Sequence, residues 1–195
     1  MKTETRNNRQ TRSMHTEFRA AEDGTDKYIE GYFAVFGSNY DMFPGASESV
    51  DPAAFDGALM DDIRCLIDHE TRLVLGRTKA KTLELRVDTH GLYGRVKINP
   101  DDQDAMNLYA RVQRGDVDQC SFGFDILEED TTVNEATGDI HWTIKSVKLY
   151  EVSVVTFPAY EDTAVAARKS DFEQIQKRSV DKWKAEKRGV LNKWH

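Results

Sequence analysis

From Tyr28 onward the chain is a succession of short aromatic and β-branched runs, each closed by Gly, Pro or a polar cluster, and only two places in the body carry a helix-start signal. The runs are Tyr28 to Phe36, Ile63 to Ile67, Thr82 to Val87, Leu92 to Ile98, Gln119 to Leu127, His141 to Leu149 and Tyr150 to Phe157. Such runs, bounded by turn residues, read as strands. A doubly wound parallel sheet would alternate strand and helix throughout, and this pattern does not. The expectation is an α+β fold or a barrel-like sheet with helices around it.

Both helix starts pair a capping side chain with proline. Asp51-Pro52 and Asn99-Pro100 put an oxygen where the first orphan N–H groups need one, and a residue with no N–H to orphan just after it. The first predicts a helix from Pro52 to Met60. The second predicts one from Asp101 to Arg114, since Ala105, Leu108, Tyr109 and Val112 recur at helical spacing and Gly115 ends the pattern. Asp88-Thr89-His90-Gly91 predicts a hairpin turn, and the acidic stretch Glu128 to Asp139 a loop.

Residues 1–15 are charged and amide-rich without periodicity and predict a loose arm. Residues 16–168 form the expected folded domain. Residues 169–195 predict a basic helical tail in which Phe172, Ile175, Val180, Trp183, Val190 and Leu191 make a narrow apolar stripe, able to dock on its own domain or on another protein.

A length of 195 residues suits one domain with one core. Cys65 and Cys120 are too few for a disulfide framework and are expected to be free thiols. Met1 to Ala21 has no apolar stretch resembling a signal segment, and no run approaches the roughly 20 apolar residues of a membrane helix. The net charge of −7 divides unevenly: Arg168 to His195 holds nine Lys/Arg against four Asp/Glu, so +5, which leaves −12 on residues 1–167. An acidic body of that kind repels nucleic acid and confines any electrostatic docking to the tail.

Serine attacks a carbonyl at neutral pH only if a base takes its proton, and a third group must hold that base. His69 stands at the polar end of the apolar run before Asp68-His69-Glu70. Ser121 is flanked by alternating aromatics in Cys120-Ser121-Phe122-Gly123-Phe124, and Gly123 leaves room for close backbone approach. Glu151 opens the apolar run Val152-Ser153-Val154-Val155, where a buried carboxylate would need a partner. Taken singly, each has a plainer reading: a surface histidine, a small strand residue, a solvated strand end. Spacing alone does not assemble them.

The ordered blocks Gly31-Tyr32-Phe33-Ala34-Val35-Phe36, Asp51-Pro52 through Phe55, Asp68-His69-Glu70 with Leu75-Gly76, Gly91-Leu92, Ser121-Phe122-Gly123-Phe124, and Glu151 to Val155 with Pro158-Ala159-Tyr160 do more. Together, over Thr16 to Arg168, they resemble the tailed-phage prohead protease family. The resemblance implies a fold related to the herpesvirus assemblins, mainly an antiparallel β-barrel wrapped by helices. It implies a serine endopeptidase with His69 as base, Ser121 as nucleophile and Glu151 as the orienting acid, needing neither metal nor organic cofactor.

Assemblins use a second histidine as third member, which makes His141 a rival to Glu151. They also carry an arginine-bearing loop before that member, and residues 122–150 contain no arginine. The implied substrates are the phage's scaffold and capsid-protein extensions inside the prohead, in the host cytoplasm, and then the protease itself. Lys169-Ser170 and Arg178-Ser179 are candidate self-cleavage doublets. A homodimer follows by analogy with assemblins. Two other readings compete: a cysteine protease through Cys120, and an assembly protein that does no chemistry. Alternation on a strand disfavours Cys120, because a cleft-facing Ser121 turns its neighbour to the core. A metal on Asp68, His69 and Glu70 is disfavoured because consecutive strand residues cannot all face one ion.

Overall fold

A computed structural model describes residues 10–15, 18–157, 168–178, 180–181 and 184. In chain order the strands are β1 (Gln10–His15), β2 (Arg19–Asp23), β3 (Asp26–Val35), β4 (Tyr40–Phe43), β5 (Ala46–Val50), β6 (Arg64–Ile67), β7 (Glu70–Arg77), β8 (Leu83–Val87), β9 (Gly91–Ile98), β10 (Gln119–Val133) and β11 (Ile140–Val155). One α-helix, α1 (Gln103–Arg114), separates β9 from β10, and residues 168–178 are helical.

Among the described residues the strands form two sheets and no closed barrel. A seven-stranded sheet runs β1-β10-β11-β5-β4, with β6 also on β11 and β7 on β6; a four-stranded sheet runs β2-β3-β9-β8. This corrects the expected barrel. The reason lies in β11, whose two ends have different neighbours: Ile140–Ile144 pairs in parallel with β5, and Glu151–Val154 in parallel with β6. The sheet forks there instead of curling round to meet its own edge, and the four-stranded sheet closes the core as a separate layer. Ile29 and Phe33 from that layer meet Cys65, Phe122, Phe124, Val152 and Val154 from the other in one cluster of buried side chains.

Local signals account for the elements that pack on this core. Asp102 caps α1, its carboxylate accepting from the N–H groups of Asp104 and Ala105, and Ala105, Leu108, Tyr109 and Val112 are the buried face. The β8–β9 turn is closed by Asp88, whose carboxylate accepts from His90 and Gly91 N–H. The expected helix from Pro52 to Met60 is instead two short 3-10 turns, Pro52–Phe55 and Ala58–Met60. Gly57 interrupts it with φ +80°, a backbone conformation that ends a helix and that glycine adopts without strain.

Three further differences come from pairing. The first half of the acidic stretch expected as a loop is strand: β10 continues to Val133 opposite Ile140. His141 to Phe157, expected as two strands, is one strand as far as Val155: the register shifts at Tyr150, where Gly123 is opposite Glu151 and Phe124 opposite Leu149, and pairing with β10 resumes on both sides of the bulge. The arm expected over residues 1–15 carries β1, because the edge of β10 offers a ladder to any extended segment beside it. Over 168–178 the tail docks on its own domain, with Phe172 edge-on to Phe43 at 5.5 Å and Phe172 and Ile175 packed on Trp142 and Ile140. Trp183, Val190 and Leu191 of the expected stripe lie outside the described residues.

Candidate active site

His69 is delivered by a strained turn. Ile67 of β6 pairs with Glu70 of β7, so Asp68 and His69 alone make the connection, with φ values of 47° and 60°. Left-handed backbone at two successive non-glycine residues is costly and persists only when its surroundings hold it. Here Asp68 provides the hold: its N–H donates to the Val154 carbonyl at 3.0 Å, and its carboxylate accepts from the Thr156 N–H at 2.7 Å and the Thr156 hydroxyl at 3.1 Å. The turn is thereby tied to the end of β11, which sets the imidazole beside Glu151.

Glu151, 4% exposed, accepts from His69 Nδ1 through Oε1 at 2.8 Å and from the Ser153 hydroxyl through Oε2 at 2.6 Å. An ionised carboxylate only accepts, so the proton on the ring belongs to Nδ1 and the lone pair to Nε2. Nε2 is buried and has no hydrogen-bond partner among the described residues. It is the nitrogen a serine hydroxyl would need.

Ser121 lies on the same face of the sheet. Across the β10–β11 ladder Ser121 is opposite Ser153 and Gly123 opposite Glu151, and opposed residues of an antiparallel pair point to one side. The carboxylate lies over Gly123 so closely that a Cβ there would stand 2.2 Å from Oε1. The space at Gly123 therefore belongs to Glu151, where the sequence suggested substrate backbone. Ser121 itself is fully buried, and its hydroxyl donates to the main-chain carbonyl of Arg12 in β1 at 3.0 Å. No Ser121–His69 hydrogen bond is present among the described residues; the two groups share a face and are not yet joined.

The rivals stand elsewhere. His141 is ten residues before Glu151 on β11, roughly 30 Å away at the rise of a strand, and its two ring nitrogens are bonded to the hydroxyls of Ser47 and Ser49 at 2.8 Å each. Cys120 and Cys65 are both buried and are not joined in a disulfide. Cys120 is turned to the core face, with its Sγ donating to the Tyr32 carbonyl at 3.0 Å. Burial first, then the nearby charge of Glu151, pushes the Cys65 thiol well up, which keeps it protonated. No group of three or more His, Cys, Asp or Glu able to hold a metal occurs among the described residues.

An open cleft of about 430 Å³ adjoins the site, with Glu151, Leu66, Thr71 and Val74 in its lining. Three participants carried no signal strong enough to single out in the sequence: Ser153, Asp68 as tether of the turn, and Arg12 as partner of Ser121. For Ser153 a cue exists, since Glu151-Val152-Ser153 on a strand places glutamate and serine on one face.

A serine, a histidine and a carboxylate bonded to its Nδ1 are the residue types that serine hydrolases combine. Comparison gives the family. Residues 14–178 match the model of the caudovirus prohead serine proteases, and the chain belongs to that family. It is 34% identical over 174 residues to the prohead protease of Enterobacteria phage HK97, covering 86% of this chain and 72% of that protein. The structure of the bacteriophage T4 capsid assembly protease aligns with 78% of this chain and 100% of its own at 15% identity, with a TM-score of 0.48. The chain is a protease of capsid maturation, and the family assigns it a serine mechanism.

Proposed function

We propose that Ser121 is the nucleophile, His69 the general base and Glu151 the orienting acid of this protease. The observation that carries the reading is the 2.8 Å contact between His69 Nδ1 and Glu151 Oε1, made on the sheet face that also bears Ser121. In the reaction Ser121 Oγ bonds to the carbonyl carbon of a substrate peptide while its proton passes to His69 Nε2. The tetrahedral centre collapses, the C–N bond breaks, and His69 returns the proton to the leaving amine. Water, deprotonated by the same nitrogen, then cleaves the acyl ester and restores Ser121. Glu151 keeps Nε2 as the accepting nitrogen and stabilises the imidazolium formed at each transfer.

The substrates are scaffold and capsid-protein extensions inside the prohead, in keeping with the relative from HK97 being a prohead protease. Self-cleavage at Lys169-Ser170 would require unwinding the helix over 168–178, whose first residue, Arg168, is fully buried on Glu48 and Glu129. Arg178-Ser179, the other candidate doublet, lies ten residues beyond that buried anchor. Co-expression of the phage capsid protein with wild-type enzyme or with Ser121→Ala tests the function. Shortened capsid subunits with the wild type only are expected, and shortening by Ser121→Ala would refute the assignment. Among the described residues no helix is long and apolar enough to cross a membrane.

A further inference from the structure

Ser121 is engaged with a peptide carbonyl already, and that carbonyl is the chain's own. β1 runs antiparallel along the free edge of β10, from Gln10 opposite Phe124 to His15 opposite Gln119, with Ser13 opposite Ser121. The Ser121 hydroxyl donates to the Arg12 carbonyl at 3.0 Å. A main-chain carbonyl beside the hydroxyl is the group a serine protease attacks, but here the proton points to the carbonyl oxygen, and His69 Nε2 has no donor among the described residues. The resting arrangement is that of a peptide strand bound in an unproductive way.

The fastening of β1 is distinct from the catalytic face. The Arg12 guanidinium reaches the fully buried Glu48 of β5, with Nη2 to Oε2 at 3.0 Å, and it also donates to Gln10 Oε1 at 2.8 Å and lies over the Phe124 ring. Burial opposes ionisation of Glu48, and the guanidiniums of Arg12 and Arg168 outweigh it and hold its pKa below the usual carboxylate value. β1 has no strand on its outer side among the described residues; the β10 ladder and the contacts of Arg12 fasten it there. The family match starts at residue 14, which leaves Gln10 to Ser13 outside what it covers.

We infer that the edge of β10 is the substrate site, that an extended peptide adds there as a strand, and that β1 is an occupant which must leave before cleavage. An exposed strand edge recognises any extended main chain through its unpaired N–H and C=O groups, so the ligand class is an unfolded or extended polypeptide segment. Such a site makes the free enzyme slow until β1 is released, and it places the scissile carbonyl where that of Arg12 now stands. The inference rests on Ser121 being the nucleophile.

A reversible lock on β1 tests it. Met14 is opposite Cys120 in the ladder, and opposed residues have Cα separations within disulfide range, so Met14→Cys can be joined to Cys120 by a mild oxidant and freed by dithiothreitol. The readout is the rate at which a fluorophosphonate labels Ser121 in the full-length protein, with the cross-link verified by mass spectrometry. Labelling at least about tenfold slower in the oxidised form than in the reduced form is expected, as is labelling about tenfold faster in Arg12→Ala than in wild type. Equal rates in the locked and freed forms would overturn the inference while leaving the nucleophile in place. Failure of every form to label Ser121, the reduced and Arg12→Ala forms included, would overturn the catalytic reading and this inference with it.

Discussion

The Ser153 hydroxyl stands 2.6 Å from Oε2 of Glu151, and it does so because the two residues are one step apart on the same face of β11. Glu151 is thus held at both oxygens: Ser153 fixes one, and the other is left to His69 Nδ1 at 2.8 Å. A carboxylate with one oxygen already satisfied has fewer orientations open to it, so the imidazole it holds is better aimed.

Ser153→Ala should therefore reduce kcat rather than raise KM. A hydrogen bond to a charged group is worth about 1.5–3 kcal/mol, which bounds the loss in kcat at roughly 10- to 150-fold with the fold intact. Steady-state kinetics on a capsid-derived peptide would check this. An unchanged kcat would show that Glu151 is held well enough by β11 alone.

Gly123→Ala should be more damaging than its size suggests. The added Cβ would meet Oε1 of Glu151 at 2.2 Å, so the carboxylate must move off His69. Activity should fall by about 100-fold or more, since ångström-scale misplacement of a catalytic group costs that much. Circular dichroism and proteolytic resistance should remain close to wild type, which separates this effect from misfolding.

Glu48 should make stability depend on pH. Its folded-state pKa is lowered, because Arg12 and Arg168 outweigh its burial. Its stabilising contribution is therefore complete above the unfolded value, 4.5, and is lost as pH falls through the lower folded value. Glu48→Gln leaves two guanidiniums short of a partner and should cost about 3 kcal/mol at neutral pH, in the range for breaking a buried ion pair. Thermal unfolding between pH 7 and 3 should show the wild type approaching the variant as acid removes the difference. Parallel curves across that range would contradict the assignment.

Legibility in the sequence followed how local each signal is. Alternation and turn residues mark β3, the β8–β9 hairpin and the start of β10, and α1 is written in four apolar residues and the closing Gly115, although its N-cap is Asp102 where Asn99 was expected; each needs only its own neighbours. Glu70–Arg77 begins with three polar residues and becomes β7 only because β6 lies beside it. The polar end of β10, Glu128–Val133, is strand for the same reason. Closure into a barrel, expected from the run of short strands as well as from family likeness, depends on where β11 sends its two ends, which no local pattern records.

The site divides in the same way. His69, Ser121 and Glu151 were singled out through ordered blocks shared with a family, since their separations along the chain carry no geometric information. Arg12 is 109 residues from Ser121 and meets it only through the β1–β10 register. Asp68 read as one of three consecutive polar residues, and only the left-handed turn shows why it binds Thr156 rather than an ion.

Ser121 as nucleophile and His69 as its base make the central claim, and the site of a covalent adduct tests it most directly. After exposure of the protein to a fluorophosphonate, tandem mass spectrometry should find the phosphonyl group on Ser121, and the adduct should be lost in His69→Gln with the fold retained. An adduct on Cys120 or another residue, or undiminished labelling of Ser121 in His69→Gln, would contradict the account.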